Sequence, residues 1–268
     1  MAKLIILGTS TNIPDATHEN THMVLVGADR MVLIDGPANP FSRLLQVGLD
    51  PKSLTDIVVT HFHPDHAGGI PLLLMALGLN GRETPLNLYA NQHCMSRLLR
   101  NLEDYDWEKW LKLEINMVEI SDTERYQVLD CADLKLFSSP VKHFVPTVGI
   151  RIETPGKTLV YSGDTAPVSS LDRLASGAEI MIHEAGGESE GHSSASQAGE
   201  AAQRSGAKEL ILVHYPVGDF DGEILVREAQ GKFSGKVSLA KDFSEIDLTR
   251  SSDQVFSTSP LRREDNHH

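Results

Sequence analysis

The sequence has little of what membrane-spanning or disulfide-stabilised proteins need. It contains no apolar run of the roughly 18 residues that cross a bilayer, so we expect no membrane span. The apolar stretch at the N-terminus is too short for a signal peptide and is typical of a first strand. Of the two cysteines, Cys94 and Cys131, neither lies in a C-x-x-C pair. The sequence therefore predicts a cytoplasmic protein without a disulfide framework.

Basic charge is also scarce, because 24 Lys and Arg residues face 37 Asp and Glu residues for a formal net charge of −13. An acidic chain gains little non-specific affinity for phosphate backbones, although a local basic or metal site would still bind a phosphate. With 268 residues and a 40% hydrophobic composition, the chain suits one globular domain, placed at 1–250. Residues 251–268 are predicted to form a polar, flexible tail that ends in His267 and His268, either native residues or a tag remnant.

Short β-rich runs and helical patterns alternate along the chain, which favours an α+β fold with two sheets packed face to face and helices outside. Strands and helices are harder to assign in residues 80–130, and we interpret this segment as an insertion that forms a lid or a dimer contact. Strands are predicted at 3–7, 23–26, 31–34, 56–60, 86–89, 134–138, 148–153, 158–162, 179–183 and 210–213, and helices at 40–47, 70–77, 92–102, 194–204 and after Gly222.

A dense group of potential metal ligands follows the predicted strand at 56–60. Within six residues the chain carries His61, His63, Asp65 and His66. Zinc binds imidazole nitrogen and carboxylate oxygen, and a catalytic site leaves one position open for water. A loop that leaves a strand end turns alternate side chains towards one point, so the first two histidines would share one metal. The aspartate and the third histidine would then reach a second metal.

Further ligands are expected at the ends of other strands, because one loop cannot complete two metal sites. Three candidates lie at strand-to-loop junctions, where active-site residues tend to occur. They are His143 before the strand at 148–153, Asp164 after the strand at 158–162 and His214 after the strand at 210–213.

With these residues the chain resembles the metallo-β-lactamase superfamily from about residue 4 to residue 239. The resemblance includes the Leu33-Ile34-Asp35-Gly36 segment, the H-x-H-x-D-H motif and the Gly163-Asp164-Thr165 motif. It implies a four-layer αββα sandwich that binds two zinc ions, with manganese or iron as alternatives, and a hydroxide bridged between the metals. It also implies that Asp35 supports the histidine loop. One metal would take His61, His63, His143 and Asp164, and the other would take Asp65, His66, Asp164 and His214.

A second pair of motifs resembles the ribonuclease Z branch of this superfamily. His183-Glu184-Ala185 follows a strand, and Gly191-His192-Ser193-Ser194 comes before an alanine-rich helix. The resemblance implies that Glu184 orients His192, which then stabilises the transition state or protonates the leaving oxygen. The candidate catalytic residues are therefore Asp65, Glu184 and His192.

The chain also departs from that branch. The two motifs read His183-Glu184-Ala185-Gly186 and His192-Ser193-Ser194 in this chain. Tyr215-Pro216 stands where the branch has serine and arginine. Only about twenty residues separate the His143 and Asp164 positions, which leaves no room for the arm that grips tRNA. We therefore expect a small anionic ester as substrate, such as a phosphodiester or an RNA end, rather than tRNA.

Other functions stay open on the sequence alone. Related branches with the same ligands would hydrolyse an arylsulfate, a lactone or an acyl ester, with Tyr215 or His18 as an oxyanion donor. A non-enzymatic scaffold and a di-iron redox protein are weaker hypotheses, and a homodimer is expected only by analogy. His18, Asn20 and His22 are candidates for the active-site mouth, and the arginines of the 80–130 segment are candidates for contact with an anionic substrate: Arg82, Arg97 and Arg100.

Overall fold

The computed structural model describes residues 2–249. The predicted tail at 251–268, with His267 and His268, lies outside the described residues. Within residues 2–249, no helix is both long enough and apolar enough to cross a membrane.

Two seven-stranded sheets account for the strands of the described chain. The first has the order β14-β1-β2-β3-β4-β5-β6 and the second has the order β13-β12-β11-β10-β9-β8-β7. The strands are β1 (Lys3–Gly8), β2 (His22–Val26), β3 (Met31–Ile34), β4 (Asp56–Val59), β5 (Leu86–Asn91), β6 (Ile115–Ile120), β7 (Tyr126–Asp130), β8 (Lys135–Val141), β9 (Thr147–Glu153), β10 (Thr158–Tyr161), β11 (Ile180–Glu184), β12 (Glu209–Val213), β13 (Lys236–Leu239) and β14 (Glu245–Asp247).

Helices cover the outer face of each sheet. The helices of the described chain are α1 (Pro40–Gln46), α2 (Pro64–Ala67), α3 (Ile70–Leu79), α4 (Gln92–Asp104), α5 (Trp107–Trp110), α6 (Ser169–Ala175), α7 (Ala195–Ser205) and α8 (Glu223–Gln230), and a short 3-10 helix spans Pro51–Ser53.

Strand β1 shows how the layers are built. Its alternate residues Leu4 and Ile6 pack into the core between the two sheets, whereas Ile5 and Leu7 pack against the helices outside the first sheet. All four are fully buried, as expected for a strand that is covered on both faces. A third cluster joins the second sheet to α6, α7 and α8. The predicted four-layer αββα arrangement is therefore confirmed, and the shared inner core argues for one domain.

Residues 80–130 do not stand apart from this architecture. Leu86–Asn91 and Ile115–Ile120 are neighbouring parallel strands of the first sheet, and Tyr126–Asp130 is the edge strand of the second. The strands of this segment continue both sheets. That residues 80–130 are an insertion that forms a lid or a dimer contact stays a prediction.

Candidate metal centre

The carboxyl ends of several strands meet at one edge of the sandwich. In the first sheet β3 and β4 are adjacent and parallel, so Asp35 and the loop 60–63 leave the sheet side by side. In the second sheet β10, β11 and β12 are parallel, and Asp164 and His214 follow the first and last of these. Strand β9 is antiparallel to both β8 and β10, so His143, which follows β8, falls at the same edge.

The histidine loop is fixed by a fully buried carboxylate. The Thr60 backbone N–H donates to Asp35 Oδ1 at 2.8 Å, and the Thr60 hydroxyl donates to Oδ2 at 2.9 Å. The same Oδ2 lies 2.9 Å from Nδ1 of His66, which therefore donates a hydrogen bond to it. Asp35 thus ties the loop and the first turn of α2 to the end of β3, in agreement with the supporting role expected for it.

Three imidazoles form the first part of the centre. His63 Nδ1 lies 3.1 Å from His61 Nε2 and 3.1 Å from His143 Nε2, so the three nitrogens face one point. The other ring nitrogen of His143 donates to the carbonyl of Gly191 at 2.7 Å, which leaves its Nε2 free to act as a ligand. A Cβ on Gly191 would lie 2.9 Å from His143 Nδ1, so this close approach requires glycine.

A second group of donors lies on the far side of Asp164. His66 Nε2 and His214 Nε2 lie 3.3 and 3.4 Å from Asp164 Oδ2. Asp65 Oδ2 lies 3.7 and 3.5 Å from the same two nitrogens. Oδ2 of Asp164 is also 3.8 Å from His61 Nε2, so this carboxylate stands between the two groups. Gly163 before it has φ of +60°, a conformation that other residues rarely adopt.

The donor set fits divalent metal ions. Asp164 Oδ1 and His66 Nε2 are buried atoms for which the described part of the chain provides no hydrogen bond. Buried polar atoms without a partner are costly, and a cation at the point they face would satisfy them. Imidazole nitrogen and carboxylate oxygen are zinc ligands, and manganese and iron accept the same set. Residues of both predicted groups therefore lie where they would hold metal.

Burial sets the charge of the first three imidazoles. It lowers the pKa of His63 and His143, and it lowers the pKa of His61 well below the ordinary value. A neutral imidazole is the form that ligates a metal, so these side chains are ready to bind near neutral pH. Burial alone would raise the pKa of Asp164, but the neighbouring His214 and His66 hold that pKa well below its usual range.

A separate carboxylate–histidine pair lies beside the metal ligands. Glu184, fully buried at the end of β11, lies with Oε1 3.1 Å from Nδ1 of His192. The same Oε1 accepts hydrogen bonds from the backbone N–H groups of Thr165 and Ser193, each at 3.0 Å, and Oε2 accepts one from Gly186 at 2.8 Å. The side chain of Glu184 is therefore held rigidly, and His192 is the one partner of the pair that can meet a substrate.

His192 packs among the candidate ligands. Its ring is stacked on His214 with centroids 5.5 Å apart and meets His143 edge-on at 4.8 Å. Burial disfavours the charged ring, but the hydrogen bond to Glu184 and the charge of Glu184 outweigh burial and raise the pKa of His192. Since its side chain is 23% exposed, the protonated ring can donate to a bound group. The loop that carries it is fixed by Ser194, whose side chain caps the N-terminus of α7.

Comparison with known proteins agrees with this geometry. Residues 30–215, which include every candidate ligand, match the family described as the beta-lactamase superfamily domain. The chain belongs to this superfamily. It is 28% identical to ribonuclease Z of Methanothermobacter thermautotrophicus in an alignment that covers 87% of this chain and 92% of that protein.

Solved structures of the beta-lactamase superfamily share the fold. The metallo-beta-lactamase fold protein YhfI from Bacillus subtilis matches with a TM-score of 0.78 at 22% identity, covering 92% of this chain and 100% of that one. A diphosphatase from the PhnP family matches with a TM-score of 0.73 at 20% identity, covering 94% and 99% of the two chains. The resemblance inferred from the sequence motifs, and the fold it implied, are confirmed.

The mouth of this superfamily member differs from the expectation. A cavity of about 390 Å³ opens over His63, Asp65 and Asp164, and the N-terminal loop reaches it through Thr11, Asn12 and Ile13. The three residues expected there lie elsewhere: His22 is fully buried at the start of β2, Asn20 donates to the carbonyl of Thr11, and His18 lines a neighbouring cavity of about 670 Å³.

The sequence analysis missed Phe144 and misplaced Arg82. Phe144 lines the cavity, although the sequence offered no signal for it beyond its position next to His143. Arg82 is buried and donates to the carbonyls of Lys52, Thr84 and Pro85, so its role is structural. The expectation that it approaches the substrate is wrong.

Proposed function

We propose that this chain is a hydrolase that binds two metal ions, zinc on the chemistry of its donors, and cleaves a small phosphodiester or an RNA end. The observation that carries the proposal is the pair of Glu184 and His192, whose partly exposed ring packs directly on the candidate ligands His143 and His214. A simple metal-binding scaffold would not need a partly exposed histidine held in this place by a buried carboxylate.

In this proposal Asp164 is shared by two metal sites. His61, His63 and His143 complete one site, and Asp65, His66 and His214 complete the other. Two observations support the assignment. The donor atoms of each group lie close together, and buried atoms of Asp164 and His66 have no hydrogen-bond partner among the described residues. When bound, the metals would polarise the phosphorus–oxygen bond and lower the pKa of water.

The chain's own residues then supply the remaining chemistry. Glu184 accepts a hydrogen bond from Nδ1–H of His192 and so fixes the protonation of Nδ1 and the direction of Nε2. The raised pKa of His192 keeps a proton available on Nε2, and this nitrogen would donate it to the oxygen of the departing alcohol. Asp65 is proposed to contribute as a metal ligand at the edge of the open cavity.

The substrate is proposed to be small. The names of the relatives point to phosphorus–oxygen bonds, since they include a ribonuclease Z and a diphosphatase. The net charge of −13 disfavours a large polyanion such as tRNA. A cytoplasmic location and a homodimer stay predictions.

In the rival proposal, hydrolysis of an arylsulfate, lactone or acyl ester, Tyr215 or His18 would donate to the oxyanion. Tyr215 was one candidate, but its hydroxyl donates to the carbonyl of Ala240 at 2.7 Å and the residue is only 5% exposed. His18, the other candidate, pairs with Asp15 and lines the separate cavity. These contacts favour the phosphodiester over the other esters.

The test compares substrates on zinc-loaded protein. We expect turnover of bis-p-nitrophenyl phosphate that exceeds turnover of p-nitrophenyl sulfate and of a simple lactone, and that falls about a hundredfold or more in His192→Ala. His18→Ala is the matched control and should leave diester hydrolysis unchanged. An inert diester with an active sulfate or lactone would overturn the assignment to phosphodiesters.

A further inference from the structure

The mouth of the metal centre carries very little positive charge. Apart from the candidate ligands and His192, its lining consists of the apolar Ile13, Phe144 and Pro216 and the uncharged Thr11, Asn12 and Gly186. Among the described residues that line the cavity, none is lysine or arginine. A substrate with several phosphates would find no side chain there to neutralise the additional charges.

Phe144 is the most unusual member of this lining. It is 57% exposed, yet its ring lies 5.1 Å from the ring of His143 and 5.9 Å from that of His192, both at steep angles. The ring also packs closely on the backbone of Gly191, because a Cβ there would lie 2.7 Å from two ring carbons. A large aromatic side chain is thus held at the reacting centre with much of its surface in water.

Ile13 adds a second exposed apolar surface to the same cavity. It is 73% exposed and belongs to a loop that is tied to the segment after His214, since the Thr11 N–H donates to the Tyr215 carbonyl and the Gly218 N–H donates to Asp15. Exposed apolar groups that surround a polar centre mark a ligand surface more often than chance exposure does.

We propose that Phe144 is a stacking platform for a flat aromatic group esterified to the scissile phosphate, either an aryl group or a nucleobase carried on its sugar. The inference rests on the proposed function, because the phosphate is taken to bind at the metal centre. It narrows the substrate to a phosphodiester with a single negative charge and an aromatic ester group. Stacking of this kind tolerates different rings, because every flat base or aryl group offers a face.

The test measures binding, so that it does not depend on turnover. For zinc-loaded protein, calorimetry gives the dissociation constants of phenyl phosphate and ethyl phosphate, and of adenosine 5′-monophosphate and ribose 5-phosphate. Each pair shares its phosphate and differs in the ring. We expect the ring-bearing ligand of at least one pair to bind about tenfold more tightly, within the range known for a stacked base. The pair that shows the preference identifies an aryl group or a nucleobase.

Substitutions at Phe144 then locate the effect. Phe144→Ala should reduce the preference to below about twofold, and Phe144→Tyr should keep it, because the ring is retained. A general disturbance of the metal centre would weaken both members of a pair equally and leave their ratio unchanged. Phe220→Ala is the matched control, since Phe220 is 39% exposed but lines the separate 670 Å³ cavity.

The two proposals fail in different ways. If diesters are hydrolysed but neither pair shows a ring preference, or if the preference survives Phe144→Ala, the platform is refuted and the phosphodiesterase stands. If the ring preference depends on Phe144 but no diester is hydrolysed, the platform stands and the proposed reaction is refuted.

Discussion

Two buried carboxylates at the same edge of the sandwich each hold a histidine, and they do so in different surroundings. Asp35 in the first sheet pairs with His66 at 2.9 Å, and both side chains are fully buried. Glu184 in the second sheet pairs with His192 at 3.1 Å, but the ring of His192 is 23% exposed. In both pairs the carboxylate accepts a hydrogen bond from Nδ1 of the histidine, so Nε2 can contact a metal or a substrate.

The difference lies in what Nε2 meets. Nε2 of His66 faces Asp164 at 3.3 Å within the protein and is fitted to bind a metal. His192 lines the open cavity, so its Nε2 is available to a substrate. In the proposed function, one carboxylate–histidine pair would orient a metal ligand and the other would orient a proton donor, and the exposure of the histidine distinguishes the two. Variants of the two pairs test this difference.

The largest effect is expected for His66→Ala. The substitution removes a proposed ligand and leaves the Asp35 carboxylate buried without its partner. We expect loss of at least one metal ion per chain and a larger fall in diester hydrolysis than in His192→Ala, because a missing ligand disrupts the metal centre itself. Metal content by mass spectrometry, with circular dichroism to check the fold, tests this. Full metal content with full activity would exclude His66 as a ligand.

A smaller but still large effect is expected for His192→Ala. Loss of a general acid typically slows a reaction by about 100- to 10,000-fold, and we expect kcat to fall within this range. The zinc content should stay at the wild-type value, because His192 is not among the proposed ligands. A fall in bound zinc to half would instead make His192 a ligand, which the grouping of its ring nitrogen with His143 and Asp164 allows geometrically.

Glu184→Gln should lower kcat less than His192→Ala does. The amide removes a charged acceptor from His192 and from three backbone N–H groups while keeping the side chain's shape. A hydrogen bond to a charged group contributes about 1.5–3 kcal/mol, so we expect kcat to fall by about 10- to 150-fold. If Glu184 acts only through His192, Glu184→Gln in a His192→Ala background should cause little further loss of kcat. A full additional loss would mean that Glu184 acts independently.

The smallest effect on turnover is expected for Asp35→Asn. An outer partner of a metal ligand typically contributes 10–100-fold to metal affinity, and we expect zinc to bind that much more weakly. At saturating zinc, kcat should return close to the wild-type value, because Asp35 does not line the cavity. Competition with a zinc-chelating dye measures the affinity. An unchanged affinity with a lowered kcat would contradict the division of roles between the two pairs.

The clustering of the candidate ligands could be predicted from the sequence because several of them follow a recognisable strand. His61, Asp164 and His214 come after short buried β-rich runs, and parallel strands bring their carboxyl ends together. The family resemblance then supplied the grouping. The strands and helices with strong apolar periodicity were predicted to within a few residues.

The weaker elements could not be predicted because their stability comes from neighbours. Ile115–Ile120 is an edge strand with exposed polar residues, and it is defined mainly by its pairing with β5. Ser169–Ala175 is a seven-residue helix without a side-chain cap. The positions of Ile13 and Phe144 at the mouth depend on contacts with distant segments, which no local pattern encodes.

The most direct test of the proposed two-metal hydrolase is a zinc titration of metal-free protein with turnover of bis-p-nitrophenyl phosphate as the readout. We expect activity to rise until about two zinc ions are bound per chain, as a two-metal site requires. We also expect His192→Ala to follow the same binding curve with a much lower plateau. Activity that saturates at one zinc ion per chain, or two bound ions without any diester turnover, would contradict it.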